Sequence, residues 1–105
     1  MNHHRIVFLS FLAFGFSASQ ASALDGKALY TTKLCNTCHG DEGKKPLVPA
    51  YPKIAGQSKE YIGTQIKDIK SGKRNNGMAA VMKPMVESLK DDEIEAIATY
   101  LSGVK

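Results

Sequence analysis

Cys35-Asn36-Thr37-Cys38-His39-Gly40 is the stretch that decides the fold of this 105-residue chain. Its two cysteines are three positions apart, and residues i and i+3 lie on the same face of a helical turn. The histidine follows the second cysteine directly. One turn of chain therefore presents two thiols and an imidazole on neighbouring positions.

The order Cys-x-x-Cys-His is the pattern at which c-type haem is attached covalently. In that chemistry each thiol adds to one vinyl group of the porphyrin, and the histidine becomes the proximal iron ligand. We therefore expect one haem c, held by thioethers from Cys35 and Cys38 and ligated by His39.

Three other uses of a Cys-x-x-Cys pair have to be weighed: a zinc half-site, a thioredoxin-like redox pair and a structural disulfide. Zinc needs further ligands, and the other histidines are His3 and His4, in a segment that we expect to be removed. A thioredoxin-like pair belongs in a βαβ context, and no convincing strand pattern follows the motif. The sequence favours haem.

Residues 1–23 have the pattern of a secretory signal peptide. Arg5 gives a basic start, an apolar run occupies residues 6–16, and an Ala21-Ser22-Ala23 box follows. The apolar run is too short to span a bilayer, which needs about 20 residues. We expect cleavage after Ala23, export to the periplasm and a single domain over residues 24–105; a retained N-terminal anchor is the alternative.

The charge pattern argues against nucleic-acid binding. The chain carries 14 basic and 10 acidic residues, and its lysines are spread along the whole sequence rather than grouped in a dense block. A domain of this size seldom stabilises itself by side-chain packing alone. We expect the covalent haem to form part of the core, so the haem-free chain should fold poorly.

The helix signals predict three main helices joined by long loops. Capping residues and apolar periodicity place them at residues 26–34 after Asp25, at 59–70 after Ser58 or Gln57, and from Asp91 or Asp92 to Ser102. Prolines make residues 44–57 an ordered loop. Residues 72–89 are predicted to be irregular around the Asn75-Asn76-Gly77 turn.

These two loops supply candidate partners for His39. A ligating imidazole usually donates its second N–H to a carbonyl, and we expect the Pro49 carbonyl to accept it. The second loop contains Met78, Met82 and Met85, all the methionines downstream of Met1. Methionine more often fills gaps in a core than it binds metal. Opposite His39, however, a thioether is the expected sixth ligand.

The order helix, haem motif, Pro-rich loop, helix, Met-containing loop, helix resembles the class I c-type cytochromes. Within that class it is most similar to a small monohaem domain of the cytochrome c4 group. The stretches that carry the resemblance, besides the haem motif, are Pro52-Lys-Ile-Ala-Gly-Gln57, Tyr61 with Gln65, Gly72-Lys-Arg74 and Glu93-Ile-x-Ala-Ile-Ala-x-Tyr100-Leu101.

The resemblance implies an all-α fold, the class I cytochrome c fold, in which the first and last helices cross around one covalent haem. It implies His39 and a methionine as axial ligands. In this group the distal methionine precedes the leucine before the last helix by seven residues, so counting back from Leu89 gives Met82. Lys90 stands where the group commonly has a serine cap, and we expect Asp91 to cap instead.

With both axial positions filled, no open site remains for a substrate, so the sequence predicts an electron-transfer protein and not an enzyme. The expected partners are a membrane-bound or periplasmic donor and an oxidase or reductase acceptor, met by a monomer without a membrane span. Lys44, Lys45, Lys73 and Lys83 are candidate docking charges. The rival hypotheses are a haem enzyme or gas sensor with an open sixth site, and a dedicated subunit of a larger complex.

Overall fold

The structure, a computed structural model, describes residues 24–105, and the predicted signal peptide at 1–23 lies outside the described residues. Helices account for more than half of the described part, which contains no strand. The all-α class is therefore confirmed. The helices are α1 (Gly26–Thr32), α2 (Cys35–His39), α3 (Lys59–Ser71), α4 (Ala79–Val86) and α5 (Asp91–Ser102), with a 3-10 turn at Asp41–Gly43.

Two of the predicted helix starts are confirmed by their caps. The Asp25 carboxylate accepts a hydrogen bond of 3.1 Å from the Ala28 amide at the start of α1. The Ser58 hydroxyl accepts one of 3.1 Å from the Tyr61 amide at the start of α3, so Ser58 is the cap rather than Gln57. Each bond satisfies an amide that has no partner within its own helix.

The expected Asp91 cap is wrong. Lys90 occupies the N-cap position with extended backbone angles, and α5 begins at Asp91 itself. The Glu93 carboxylate reaches back and accepts a 3.0 Å hydrogen bond from the Lys90 amide. A lysine side chain has no acceptor atom, so carboxylates inside the first turn do the capping: Glu93 does so together with Asp92, which accepts a 2.8 Å hydrogen bond from the Glu93 amide.

The first and last helices pack closely because Gly26 has no side chain. A Cβ atom at Gly26 would lie 2.0 Å from the Ala96 carbonyl oxygen of α5. One turn later the rings of Tyr30 and Tyr100 meet at a centroid distance of 5.7 Å in a tilted arrangement. The crossing of the first and last helices, expected from the resemblance, is thus present.

The hydrophobic core lies where α3 and α1 pack against α5. From α3 it receives Ile62, Ile66 and Ile69, the stripe predicted from the sequence. From α5 it receives Ile94, Ile97, Ala98 and Leu101, also as predicted. Because i, i+3, i+4 and i+7 positions share one face of a helix, these residues bury a continuous apolar surface.

The prediction that residues 72–89 are irregular is wrong for their second half, which forms α4 and packs against α3. Proline inside a helix removes one backbone hydrogen bond, here the bond from position 84 to the Ala80 carbonyl. Ala80 is exposed, so water can satisfy that carbonyl. The i, i+3, i+7 spacing of Ala79, Met82 and Val86 is the helical signal that the prediction missed.

Residues 44–57 form the ordered loop that the prolines predict. The loop is fastened to the helices by backbone hydrogen bonds at both ends. The Leu47 amide donates to the Cys38 carbonyl at 2.9 Å, and the Gly56 amide donates to the Leu101 carbonyl at 2.9 Å. These bonds hold the loop against α2 at one end and α5 at the other.

Candidate functional site

The haem motif forms its own short helix, α2, which starts after a strained residue. Leu34 has a left-handed backbone with φ of 63°, and its side chain is 55% exposed. A non-glycine residue adopts this conformation rarely. The turn at Leu34 ends α1 and starts a new helix at Cys35, so both cysteines of the motif lie on one short helix.

Cys35 and Cys38 are partly buried free thiols in the structure, not a disulfide. Burial raises the pKa of the Cys35 thiol to about 11. A thiol of this kind is protonated at neutral pH, unlike the low-pKa cysteine of a thioredoxin-like redox pair. Within residues 24–105 no group of three or more His, Cys, Asp or Glu side chains is placed to bind a metal ion. The raised pKa of the Cys35 thiol weakens the alternative of a thioredoxin-like redox pair.

His39 is buried, with 7% of its surface exposed, and its ring orientation is fixed. The ring Nδ1 lies 2.8 Å from the Pro52 carbonyl oxygen. Because a carbonyl only accepts hydrogen bonds, Nδ1 carries the proton and Nε2 keeps a free lone pair. A histidine in this tautomer is prepared to bind a metal through Nε2.

The predicted acceptor, the Pro49 carbonyl, is therefore wrong, and the acceptor is Pro52. The Tyr51 amide donates to the Val48 carbonyl at 3.1 Å, which makes a turn with Pro49 and Ala50 at its tip. That tip is exposed to solvent, and the chain comes back to α2 only at Pro52. The prediction was right that a carbonyl of the Pro-rich loop accepts the hydrogen bond, but it named the wrong residue of that loop.

Tyr30 is a supporting residue that the sequence analysis did not assign to the site. It is 2% exposed, and its hydroxyl donates a 2.6 Å hydrogen bond to the Gly40 carbonyl, directly after His39. Burial is the main reason why the pKa of Tyr30 rises to about 12. A buried tyrosine hydroxyl normally needs a partner, and this general rule is the signal that could have indicated the role.

The three methionines lie in α4 and at its N-cap, and they differ in burial. Met82 lies between the buried Ala79 and Val86 on the inward stripe and packs against the hydrophobic core. Met78 and Met85, four positions before and three positions after Met82, flank it on the helix surface and are 47% and 43% exposed. Cys35 also packs against the same core, from α2. Met82 and Cys35 thus pack against one core, and Met82 is the least exposed of the three methionines.

The side chains of this region suit an apolar macrocycle. The Pro-rich loop exposes Leu47 and Val48 by 70% and 39%, and α4 exposes Val81 by 63% in addition to Met78 and Met85. Large apolar side chains left to water in the Pro-rich loop and around α4 are typical of a surface that binds something apolar. Two thiols, an imidazole with a free lone pair and a thioether are a donor set that haem c uses. The residues present fit the group.

The candidate docking lysines lie in stretches of one charge sign. Residues 44–58 and 69–86 together contain seven basic and no acidic residues. Lys45 and Lys73 are exposed, Lys83 is half-buried, and Lys44 forms a 3.5 Å ion pair with Glu42. No helix in residues 24–105 has both the length and the apolar character needed to cross a bilayer.

Comparison with known proteins agrees with this site. The family described as "Cytochrome c" matches residues 23–105. Cytochrome c-554(548) of Halomonas halodenitrificans is 44% identical over 69 residues, covering 66% of this chain and 82% of that protein. Cytochrome c4 of Stutzerimonas stutzeri is 33% identical over 106 residues, covering 95% of this chain and 48% of that protein.

A third relative, named "Thiosulfate dehydrogenase electron acceptor", also comes from Stutzerimonas stutzeri and is 33% identical over 92 residues, covering 81% of this chain and 41% of that protein. The chain thus spans less than half the length of the last two relatives. The family match takes in all of α1 to α5 and the Cys35-x-x-Cys38-His39 motif. The chain therefore belongs to the cytochrome c family, whose members bind haem c covalently.

Proposed function

We propose that the protein is a one-electron carrier in which thioethers from Cys35 and Cys38 hold the haem and His39 and Met82 ligate its iron. The observation that carries the proposal is the placement of Met82 on the buried stripe of α4, against the core that Cys35 also contacts. When bound, the haem supplies a metal centre that gains and loses one electron. The residues around it select this chemistry by occupying its ligand positions.

His39 has the role of a fixed, electron-rich ligand. The Pro52 carbonyl accepts its Nδ1 proton at 2.8 Å, which fixes the tautomer, orients the ring and raises the basicity of Nε2. Because Pro52 lies in a loop that is fastened to α2 and α5, its carbonyl is held in place, and the imidazole cannot rotate without losing that hydrogen bond. A rigid ligand keeps the site similar in its two redox states.

Met82 has the role of closing the second axial position. Its neighbours on the inward stripe, Ala79 and Val86, are 8% and 3% exposed, so α4 is held with this face toward the core. Methionine opposite histidine raises a haem reduction potential. A site closed in this way has no position for a substrate, and this supports a carrier over an enzyme.

We further propose that the chain is exported to the periplasm after cleavage of residues 1–23 and works there as a monomer. Its partners would be a membrane-bound or periplasmic donor and an oxidase or reductase acceptor. The acid-free stretches 44–58 and 69–86 support docking to an acidic surface, with Lys44, Lys45, Lys73 and Lys83 among the contacts. The mature protein should then begin at Leu24, which N-terminal sequencing of periplasmic material tests.

Exposure of the reduced holoprotein to carbon monoxide tests the carrier proposal. With His39 and Met82 both bound, carbon monoxide should bind slowly and incompletely, and voltammetry should give a reversible one-electron wave. Rapid and complete binding would mean an open sixth position and would favour an enzyme or gas sensor. Co-purification with a stable partner would favour a subunit of a larger complex.

A further inference from the structure

Lys70 connects the end of α3 to the segment that joins α4 and α5. Its ammonium Nζ donates a hydrogen bond of 2.5 Å to the Leu89 carbonyl oxygen. Leu89 is 1% exposed, so its side chain is anchored in the core while its carbonyl meets the lysine. A hydrogen bond from a charged donor is about twice as strong as one between neutral groups.

The Leu89 carbonyl depends on this lysine. The first backbone hydrogen bond of α5 runs from the Ile94 amide to the Lys90 carbonyl, one residue later. The Leu89 amide, for its part, donates to the Val86 carbonyl at the end of α4, at 3.1 Å. A main-chain carbonyl beside a buried side chain normally has a partner, and here the partner is Lys70.

Helix α4 needs such outside support. It has eight residues, no side-chain cap at Met78, and Pro84 in its interior. Helices of this length are marginal in water by themselves, so packing and tertiary hydrogen bonds decide where α4 lies. The position of Met82 therefore depends on what holds the two ends of α4.

On the N-terminal side of α4, the chain is hydrogen-bonded to α3 at Arg74, several residues before α4 begins. Arg74 donates to the Gln65 side chain at 3.0 Å, and the Arg74 amide donates to the Asp68 carbonyl at 3.0 Å. The exposed turn Asn75-Asn76-Gly77 then separates Arg74 from α4. The hydrogen bond from Lys70 acts at the C-terminal end of α4. It reaches the helix through the backbone hydrogen bond from the Leu89 amide to the Val86 carbonyl.

We propose that Lys70 is a positioning residue for Met82. By holding the Leu89 carbonyl it fixes the last turn of α4, and Val86 in that turn lies one helical turn beyond Met82 on the same inward stripe. The inference rests on the proposed ligation by Met82. Lys70 does not touch the iron; it keeps the sulfur-bearing helix in place.

Displacement of the methionine by imidazole tests this proposal. Ferric holoprotein is titrated with imidazole while the far-red charge-transfer band of methionine ligation is followed. An incoming ligand binds only when the sulfur is off, so a larger methionine-off fraction lowers the imidazole concentration needed. Lys70→Met should lower the midpoint about tenfold, as loss of a hydrogen bond from a charged donor predicts. Lys70→Arg, which keeps a charged donor, should have an imidazole midpoint close to that of the wild type.

Lys59→Met is the matched control because it removes the 2.8 Å pair between α3 and Glu95 of α5 and leaves α4 untouched. Its imidazole midpoint should equal that of the wild type even if its thermal unfolding changes. Amide hydrogen exchange in residues 79–90 should accelerate in Lys70→Met and not in Lys59→Met.

A Lys70→Met midpoint within twofold of the wild type, or an equal shift in Lys59→Met, would overturn the assignment to Lys70. If the wild type nevertheless shows the far-red band of methionine ligation, the proposal that Met82 binds the iron is unaffected. A wild-type holoprotein without the band would instead overturn both.

Discussion

The Tyr30 hydroxyl donates a 2.6 Å hydrogen bond to the Gly40 carbonyl, and so ties α1 to the residue that follows His39, the proposed haem ligand. The same ring packs against Tyr100 of α5 at 5.7 Å. One side chain thus connects the helix crossing at the centre of the fold with the end of α2. The crossing helices support the site as well as the fold.

Tyr30→Phe keeps the ring and removes only this hydrogen bond. We expect the holoprotein to lose about 1 kcal/mol of unfolding free energy at pH 7, because the Gly40 carbonyl loses one hydrogen bond and keeps only the 3.2 Å bond from the Gly43 amide. Denaturant titration followed by circular dichroism measures the change. Tyr61→Phe is the control, since Tyr61 is 54% exposed and its replacement should change stability little.

The same tyrosine predicts how stability changes at high pH. Folding raises the pKa of Tyr30 from 10.0 to about 12, mainly because the phenol is buried. The folded state therefore binds this proton more tightly than the unfolded state. The resulting stabilisation is complete below pH 10 and is lost as the pH rises from 10 through about 12. The wild type should lose stability more steeply across this interval than Tyr30→Phe; parallel curves would contradict the assignment.

Replacement by alanine should lower the unfolding free energy at Gly26 and raise it at Gly63. A Cβ at Gly26 would meet the Ala96 carbonyl at 2.0 Å, so Gly26→Ala should destabilise the holoprotein by about 3 kcal/mol. A Cβ at Gly63 within α3 would have Ala98 Cβ at 4.0 Å as its nearest neighbour, so Gly63→Ala should stabilise it by about 0.5 to 1 kcal/mol. Thermal unfolding of both variants measures the contrast. Equal effects would show that α1 and α5 do not touch as described.

Leu34 carries backbone strain that glycine would relieve. Its φ is 63° and its side chain is 55% exposed, so Leu34→Gly removes strain and loses little buried surface. We expect a gain of about 1 kcal/mol. Thr31→Gly, at an exposed position inside α1, should instead lose about 0.3 kcal/mol, because glycine is a slightly poorer helix former than threonine. A loss in both variants would mean that the side chain of Leu34 contributes more than its exposure indicates.

The sequence predicted the parts of the fold that local chemistry specifies. The Asp25 and Ser58 caps and the apolar stripes of α3 and α5 each depend on residues a few positions apart, and all of these predictions are confirmed. The haem attachment motif of α2 could also be identified from the sequence, because covalent attachment requires this spacing of two cysteines and a histidine.

The errors arose where tertiary contacts decide. Helix α4 contains Pro84 and lacks a capping side chain, so it exists because Ala79 and Val86 are buried against α3. The hydrogen-bond partner of His39 depended on a turn at residues 48–51, which places Pro49 at an exposed tip, away from the histidine. The N-cap of α5 depended on Glu93 reaching back to Lys90. Patterns in sequence indicate elements well and indicate the contacts between them poorly.

The central claim is that Met82, rather than Met78 or Met85, completes the iron coordination opposite His39. The direct measurement is the far-red spectrum of the ferric holoprotein for Met82→Ala beside Met78→Ala and Met85→Ala. We predict that Met82→Ala alone abolishes the methionine–iron band and lets the reduced protein bind carbon monoxide rapidly. An unchanged band in Met82→Ala, or its loss in one of the other two variants, would contradict the claim.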